Sequence, residues 1–184
     1  MQVFFGDERF VSRDHPDSNA GAAYKKLLDR APIPAEAIHP IRTDLGAPDV
    51  CAHDYERLIR TVCRIEEPGI PRLDLVLLGL GADGHTASLF PGSRLLEEKT
   101  RLVAADSIAR LGGSRITFTL PLINQARLVL FLVAGKNKAA ALRAAVDPAV
   151  KKRPPAGLVR PRAGGRLFWL VDRAAGGLLS AIRS

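Results

Sequence analysis

Apolar residues recur along the chain in two rhythms. Short apolar runs bounded by glycine or proline predict strands, and spacings of three and four predict helices between them. Val3-Phe4-Phe5 reads as a strand closed by Gly6. Asp17 or Ser18 can cap a helix to about Arg30, with Ala22, Ala23, Leu27 and Leu28 on its apolar side, before Pro32 and Pro34 end it. Ile38–Ile41 is a short strand. After Pro48, the spacing of Tyr55, Leu58, Ile59, Val62 and Ile65 marks a longer amphipathic helix. Leu73–Leu78 is apolar on both faces apart from Asp74, as in the middle of a parallel sheet.

Further along, Leu102–Ala105 is a strand, and Arg115–Leu120 alternates Ile116, Phe118 and Leu120 against threonines, as a half-buried strand does. Pro121 opens a short helix, Leu128–Val133 is a second fully apolar strand, and Gly135-Lys136-Asn137-Lys138 leads into an alanine-rich helix that ends before Pro148. Arg166–Val171 and Arg173–Arg183 complete a last strand and helix. Strands alternating with helices predict one α/β domain over residues 1–184, built on a mostly parallel, doubly wound sheet with helices on both faces. Such sheets keep their chemistry at the carboxyl ends of strands, which is where Gly6–Arg9, Gly79–His85 and Gly135–Lys138 fall.

Composition narrows this little. At 184 residues and 47% hydrophobic, the chain can bury a core and does not read as disordered. No apolar run is long enough to span a bilayer, and the start, MQVFFGDERF, has no signal-like character. Cys51 and Cys63 lack metal or disulfide-framework spacing, so the expected compartment is the cytoplasm. The net charge of +8 raises the question of nucleic acid. The late excess (Lys151, Lys152, Arg153, Arg160, Arg162, Arg166) sits in a Pro- and Gly-rich stretch without interleaved aromatics or a groove-reading motif, so it reads as a solvated basic loop. Neither nucleic acid nor a membrane is an expected partner. A positive field suits an anionic small substrate.

Chemistry concentrates in LDLVLLGLGADGHTASLFPGS, Leu73–Ser93. Gly79-Leu80-Gly81-Ala82-Asp83-Gly84 satisfies the dinucleotide pattern G-x-G-x-x-G after a strand, with Asp106 placed for a ribose. A crossover helix needs ten or more residues, however, and only Thr86–Phe90 precede the break at Pro91-Gly92. The loop instead presents His85 directly after its last glycine and near Asp83. Imidazole titrates closest to neutrality, which suits a general base and predicts that activity falls below about pH 6.5. Arg9, at a strand's carboxyl end, could grip a phosphate. Lys138, in a helix's first turn where a cation is mildly unfavourable, is compatible with a bound anion. Ser88 lacks the G-x-S-x-G context of a nucleophile. No spacing of His or Cys suggests a metal.

The clusters GDERFV (Gly6–Val11), HPDSN (His15–Asn19), GADGHTASLFPG (Gly81–Gly92), RITFTLPLINQA (Arg115–Ala126), GKNKAAAL (Gly135–Leu142) and LFWLVDRAA (Leu167–Ala175), in this order, resemble the 6-phosphogluconolactonase family, which shares a superfamily with glucosamine-6-phosphate deaminases. The resemblance implies hydrolysis of 6-phospho-D-glucono-1,5-lactone to 6-phosphogluconate in the oxidative pentose phosphate pathway, with a phosphorylated sugar lactone as partner, and neither metal nor organic cofactor. It implies that His85 activates water beside the acid Asp83, and that Arg9 and Lys138 bind the phosphate. Gly81 and Gly84 could offer backbone N–H groups to the developing oxyanion. An amino-sugar-phosphate isomerase or deaminase, or an inactive sugar-phosphate-binding fragment, are the alternatives. The family carries, ahead of its DER segment, an α/β region with a Ser-Gly-Gly phosphate loop. Here Met1 lies just before that strand, and Gly112-Gly113-Ser114 and Gly176-Gly177 fall elsewhere. The expected fold is therefore truncated at its N-terminus relative to the family: the favoured explanation is that the protein starts further upstream, the other that the segment is missing and part of the sheet is left uncovered.

Overall fold

The computed structural model describes residues 1–108, 112–162 and 164–181. The order of elements is β1 (Val3–Phe4), β2 (Asp7–Arg9), α1 (Asn19–Lys26), β3 (Ile38–His39), α2 (Pro48–Cys63), β4 (Leu75–Gly79), β5 (Val103–Ile108), β6 (Gly113–Phe118), α3 (Leu120–Ile123), β7 (Leu128–Val133), α4 (Ala139–Val146) and β8 (Arg166–Val171), with short 3-10 turns between them. The α/β class and the parallel pairing are as expected: β1 pairs parallel with β3, and β4, β7 and β8 form a parallel sheet in that order. A third, antiparallel sheet, β2-β6-β5, joins Asp7–Arg9, which the sequence placed at a strand's carboxyl end, to two strands read separately.

Local chemistry sets the boundaries. Helix α1 starts where the Ser18 hydroxyl accepts the Gly21 N–H at 3.0 Å. Only glycine fits at Gly21, because a Cβ there would stand 2.4 Å from the Arg13 carbonyl oxygen. This helix is shorter than its periodicity suggests. It stops at Lys26, a 3-10 turn runs over Leu28–Arg30, and Leu27 is left exposed while Ala20 and Leu28 are buried. Helix α2 opens on Pro48 and ends where Arg64 adopts a left-handed φ of 55°, so Ile65 lies beyond the helix. The helix expected over Arg173–Arg183 is a 3-10 turn, Ala175–Ala181, and Arg183 lies outside the described residues.

Tyr55, fully buried on α2, ties this helix to the first two parallel strands. Its hydroxyl donates to the His39 carbonyl and accepts the Phe5 N–H, both at 2.7 Å. Burial pushes its phenol far above the ordinary range, the Phe5 N–H opposing only in part, so it stays neutral and the link persists at any working pH. One face of the β4-β7-β8 sheet turns Val76, Leu78, Val129, Phe131 and Val133 into the core. Its other face carries Leu75, Leu77, Leu132, Phe168 and Leu170, which are 44–64% exposed. Strand β4 stands at one end of the strand order. An all-apolar strand was therefore no sign of a central position; half of its side chains are open.

Glu98 closes the loop before β5. Its carboxylate accepts the N–H groups of Lys99, Thr100 and Arg101, the Thr100 hydroxyl, and Arg101 Nε at 2.6 Å. Burial opposes its ionisation, but the Thr100 N–H and the Arg101 guanidinium, with the other donors, outweigh it and hold the carboxyl down at about 2, against 4.5 when free. A depressed carboxyl stabilises the fold above the unfolded value and stops doing so as pH falls through the folded one. Thermal melts should therefore show a loss of stability between pH 4.5 and about 2 that Glu98→Gln flattens. Unchanged acid dependence in the variant would contradict this assignment.

Candidate active site

The glycine loop after β4 is tied back on itself. The Gly81 N–H donates to the His85 carbonyl at 2.8 Å, the Gly84 N–H to the Gly81 carbonyl at 3.0 Å, and the Thr86 hydroxyl to the Gly79 carbonyl at 2.9 Å. Gly84 needs its freedom twice over. Its φ is +85°, and a Cβ would meet Pro154 at 2.4 Å. Ala156 N–H also bonds the Gly84 carbonyl at 3.0 Å, so the Pro-rich segment after Lys151-Lys152-Arg153 buttresses the loop while Lys151 and Lys152 themselves stay exposed.

This closure fixes His85. Asp83 Oδ1 sits 2.5 Å from His85 Nδ1 and also accepts the His85 backbone N–H at 3.1 Å. The Phe90 ring packs against the imidazole with centroids 4.4 Å apart. A carboxylate on Nδ1 selects the tautomer with the proton there, leaving the Nε2 lone pair available as a base. The imidazole lines a cleft of about 330 Å³ together with Gly6, Asp7, Arg9, Asn19, the end of β4, Gly81, Ala87 and Lys138.

Arg9 and Lys138 reach the cleft from separate elements. In β2, alternation puts Asp7 and Arg9 on one face and Glu8 on the other. The Arg9 guanidinium is braced by the Asp17 carbonyl. Across the antiparallel ladder Arg9 faces Arg115, whose guanidinium is pushed below its ordinary value by burial and then by Arg9 itself. Like charges opposite one another destabilise a ladder unless an anion lies near. Lys138 follows Gly135, whose φ is +100° and whose N–H is held by Asp172, and it stands at the start of α4.

Of the residues singled out in the sequence, the cleft gathers His85, Arg9, Lys138 and Gly81. Asp83 stands behind His85, bonded to it, and Gly84 packs against Pro154. The N–H groups of Gly81 and Gly84 are both spent inside the loop, which leaves neither free for an oxyanion. The two glycines act by admitting His85 and Pro154. Asp106, the candidate ribose ligand, accepts the Ser93 hydroxyl at 2.6 Å instead.

Sequence reasoning passed over Glu8, Asn19 and the true role of Ser88. Glu8 is 2% exposed, and its carboxylate receives four donors at 2.7–3.0 Å: the N–H groups of Arg9, Asn19 and Ala20 and the Ser18 hydroxyl. It thereby holds the start of α1 against β2. The signal was available in the i, i+2 alternation of the charge triplet. Glu8→Gln turns a donor toward donors and should cost about 2–3 kcal/mol in denaturant unfolding. A loss under about 0.5 kcal/mol, the level of an ordinary surface change, would refute that role.

A larger hollow of about 680 Å³ beside α2 is lined by Asp49, His53, Glu56, Arg60 and Arg101, among others. Two of its arginines are already paired, Arg60 3.0 Å from Glu56 and Arg101 2.6 Å from Glu98. It holds no counterpart of the paired His85 and Asp83. Among the described residues, no three or more His, Cys, Asp or Glu side chains gather as metal ligands would, and no helix is long and apolar enough to cross a membrane.

The family model described as glucosamine-6-phosphate isomerases/6-phosphogluconolactonase matches residues 1–169. A 6-phosphogluconolactonase of Synechocystis is 46% identical over 177 residues, covering 96% of this chain and 72% of that protein. The human 6-phosphogluconolactonase is 40% identical over 177 residues, covering 96% and 67%. Among solved structures, a 6-phosphogluconolactonase from Trypanosoma cruzi superposes with a TM-score of 0.86 at 31% identity, covering 98% of this chain and 73% of that one.

Proposed function

Since the chain belongs to the glucosamine-6-phosphate isomerase/6-phosphogluconolactonase family, we propose that it hydrolyses 6-phospho-D-glucono-1,5-lactone to 6-phosphogluconate, a step of the oxidative pentose phosphate pathway, in the cytoplasm. The observation that carries this reading is the His85 imidazole, bonded through Nδ1 to Asp83 and facing a cleft that also holds Arg9 and Lys138. The relatives at 40–46% identity named above are lactonases, which favours the ester over the amino sugar as substrate.

Neutral His85 takes a proton from water through Nε2 as the water oxygen attacks the lactone carbonyl. A base so placed contributes roughly 10²–10⁴-fold. Asp83 keeps the ring in the productive tautomer and stabilises the imidazolium that forms. Arg9 and Lys138 bind the dianionic phosphate at the far end of the sugar, so binding energy remote from the carbonyl orients it against His85. The start of α4 beside Lys138 adds its dipole to the same anion.

Substrate choice is tested by supplying purified protein with the lactone or with glucosamine 6-phosphate. We expect saturable lactone hydrolysis and no ammonium release. Ammonium release at comparable kcat/KM would assign the chain to the other branch of the family.

A further inference from the structure

Among the described residues, Asp7 is the one carboxyl that lines the cleft beside His85, and the steps above give it no task. Its placement is specific. Strand β2 turns it to the same face as Arg9, its backbone carbonyl accepts Asn19 Nδ2 at 2.9 Å, and its Oδ2 accepts the Ser88 hydroxyl at 2.7 Å. Ser88, itself 2% exposed, is pinned through its own N–H to Thr117 Oγ1 at 3.1 Å. The other carboxyl oxygen, Oδ1, has no hydrogen-bonding partner among the described residues. A carboxyl fixed by one oxygen, with the other unengaged in a cleft, can exchange a proton with whatever occupies that cleft.

We propose that Asp7 is a second acid–base group of this site: the carboxylic acid that protonates the ring oxygen as it leaves the carbonyl carbon. The inference rests on the lactonase reading above. Attack of water, its proton passing to His85, forms the new C–O bond and a tetrahedral oxyanion. As that oxyanion re-forms the carbonyl, the bond from carbon to the ring oxygen breaks and its electron pair goes to the oxygen. This oxygen takes the Asp7 proton and becomes the sugar hydroxyl. The product acid gives its proton to solvent, and the proton on His85 returns to Asp7 through water. The sum is water plus lactone giving carboxylate and one proton.

Electrostatics supports the role. Burial raises Asp7 above the usual carboxylate range; the Ser88 hydroxyl and Arg9 pull it down, Glu8 pushes it up, and His85 pulls it down. Lys138, also lining the cleft, and Arg115, on β6, are the other charges around it. An acid with a raised pKa stays protonated to higher pH, so kcat/KM must fall as pH rises through that pKa.

The test is the pH profile of lactone turnover for the intact chain, Asp7→Asn and Ser88→Ala, with spontaneous ring opening subtracted. Asp7→Asn should lower kcat by about 10²-fold while changing KM no more than about threefold, and should lose the high-pH fall of the profile. Ser88→Ala removes the donor that favours the ionised form, so that fall should move to higher pH while the low-pH limb stays in place. This variant carries the test if Asp7→Asn does not fold. If the intact chain turns over and Asp7→Asn keeps kcat within about twofold, or keeps the high-pH fall, the inference is overturned and the lactonase reading stands. An unmoved high-pH limb in Ser88→Ala also overturns it. An intact chain without turnover removes the lactonase reading and this inference together.

Discussion

Replacing His85 with alanine should lower kcat for lactone hydrolysis by about 10³-fold and leave the fold in place. The imidazole makes no structural bond that the loop needs. Gly81 N–H, Thr86 and Ala156 close the loop through backbone and hydroxyl groups, and none of them uses the ring. Removing the side chain therefore takes away the base and leaves Arg9 and Lys138 where they are. KM should change little, because phosphate binding is retained, and the whole loss should appear in kcat. His85→Asn separates base from bulk: it fills part of the space, cannot accept a proton near neutrality, and should be as slow as alanine. Steady-state kinetics with melting curves for both variants checks this. A kcat within about tenfold of the parent would remove His85 from the mechanism.

Gly81→Ala should be nearly as damaging, although the residue carries no chemistry. A Cβ at this position would lie 2.0 Å from His85 Nδ1, 2.3 Å from its Cε1 and 2.7 Å from Asp83 Oδ1. No side-chain contact tolerates such distances, so the imidazole and the carboxylate must part or the loop must shift. Either change breaks the geometry that sets the tautomer, and a displacement on the order of 1 Å costs ~10²-fold. Stability should fall by only about 1–3 kcal/mol, the usual penalty for overpacking. Gly177→Ala is the control: nothing lies within 4 Å of its would-be Cβ, and it does not line the cleft. Equal activity in the two variants would show that Gly81 is not the wall against which His85 is set.

Much of this was legible in the residues. The strand-and-helix alternation gave the α/β class, and the break at Pro91-Gly92 disposed of a dinucleotide loop and left His85 as its point. Other features depend on contacts that no local pattern encodes. Leu73–Leu78 is apolar apart from Asp74, but an apolar strand reports how much it could bury and not what covers it; Leu75 and Leu77 stay open. Of Asp7-Glu8-Arg9 only Arg9 stood out in the sequence, as a phosphate grip at a strand's carboxyl end. Pairing with β6 divides the triplet into a buried clamp and two cleft residues. Gly81 and Gly84 were rightly placed in the loop, yet their N–H groups point into it. Direction is set by backbone dihedrals that glycine leaves open, so it had to come from the fold.

The central claim is that this chain, through His85 in its glycine loop, opens a phosphorylated lactone. The most direct test is the rate at which 6-phosphogluconate appears from freshly prepared lactone, followed by phosphorus NMR at neutral pH. We predict a rate proportional to protein concentration, saturable in lactone, and reduced by about 10³-fold in His85→Ala. A rate indistinguishable from spontaneous ring opening with the intact, folded chain would contradict it.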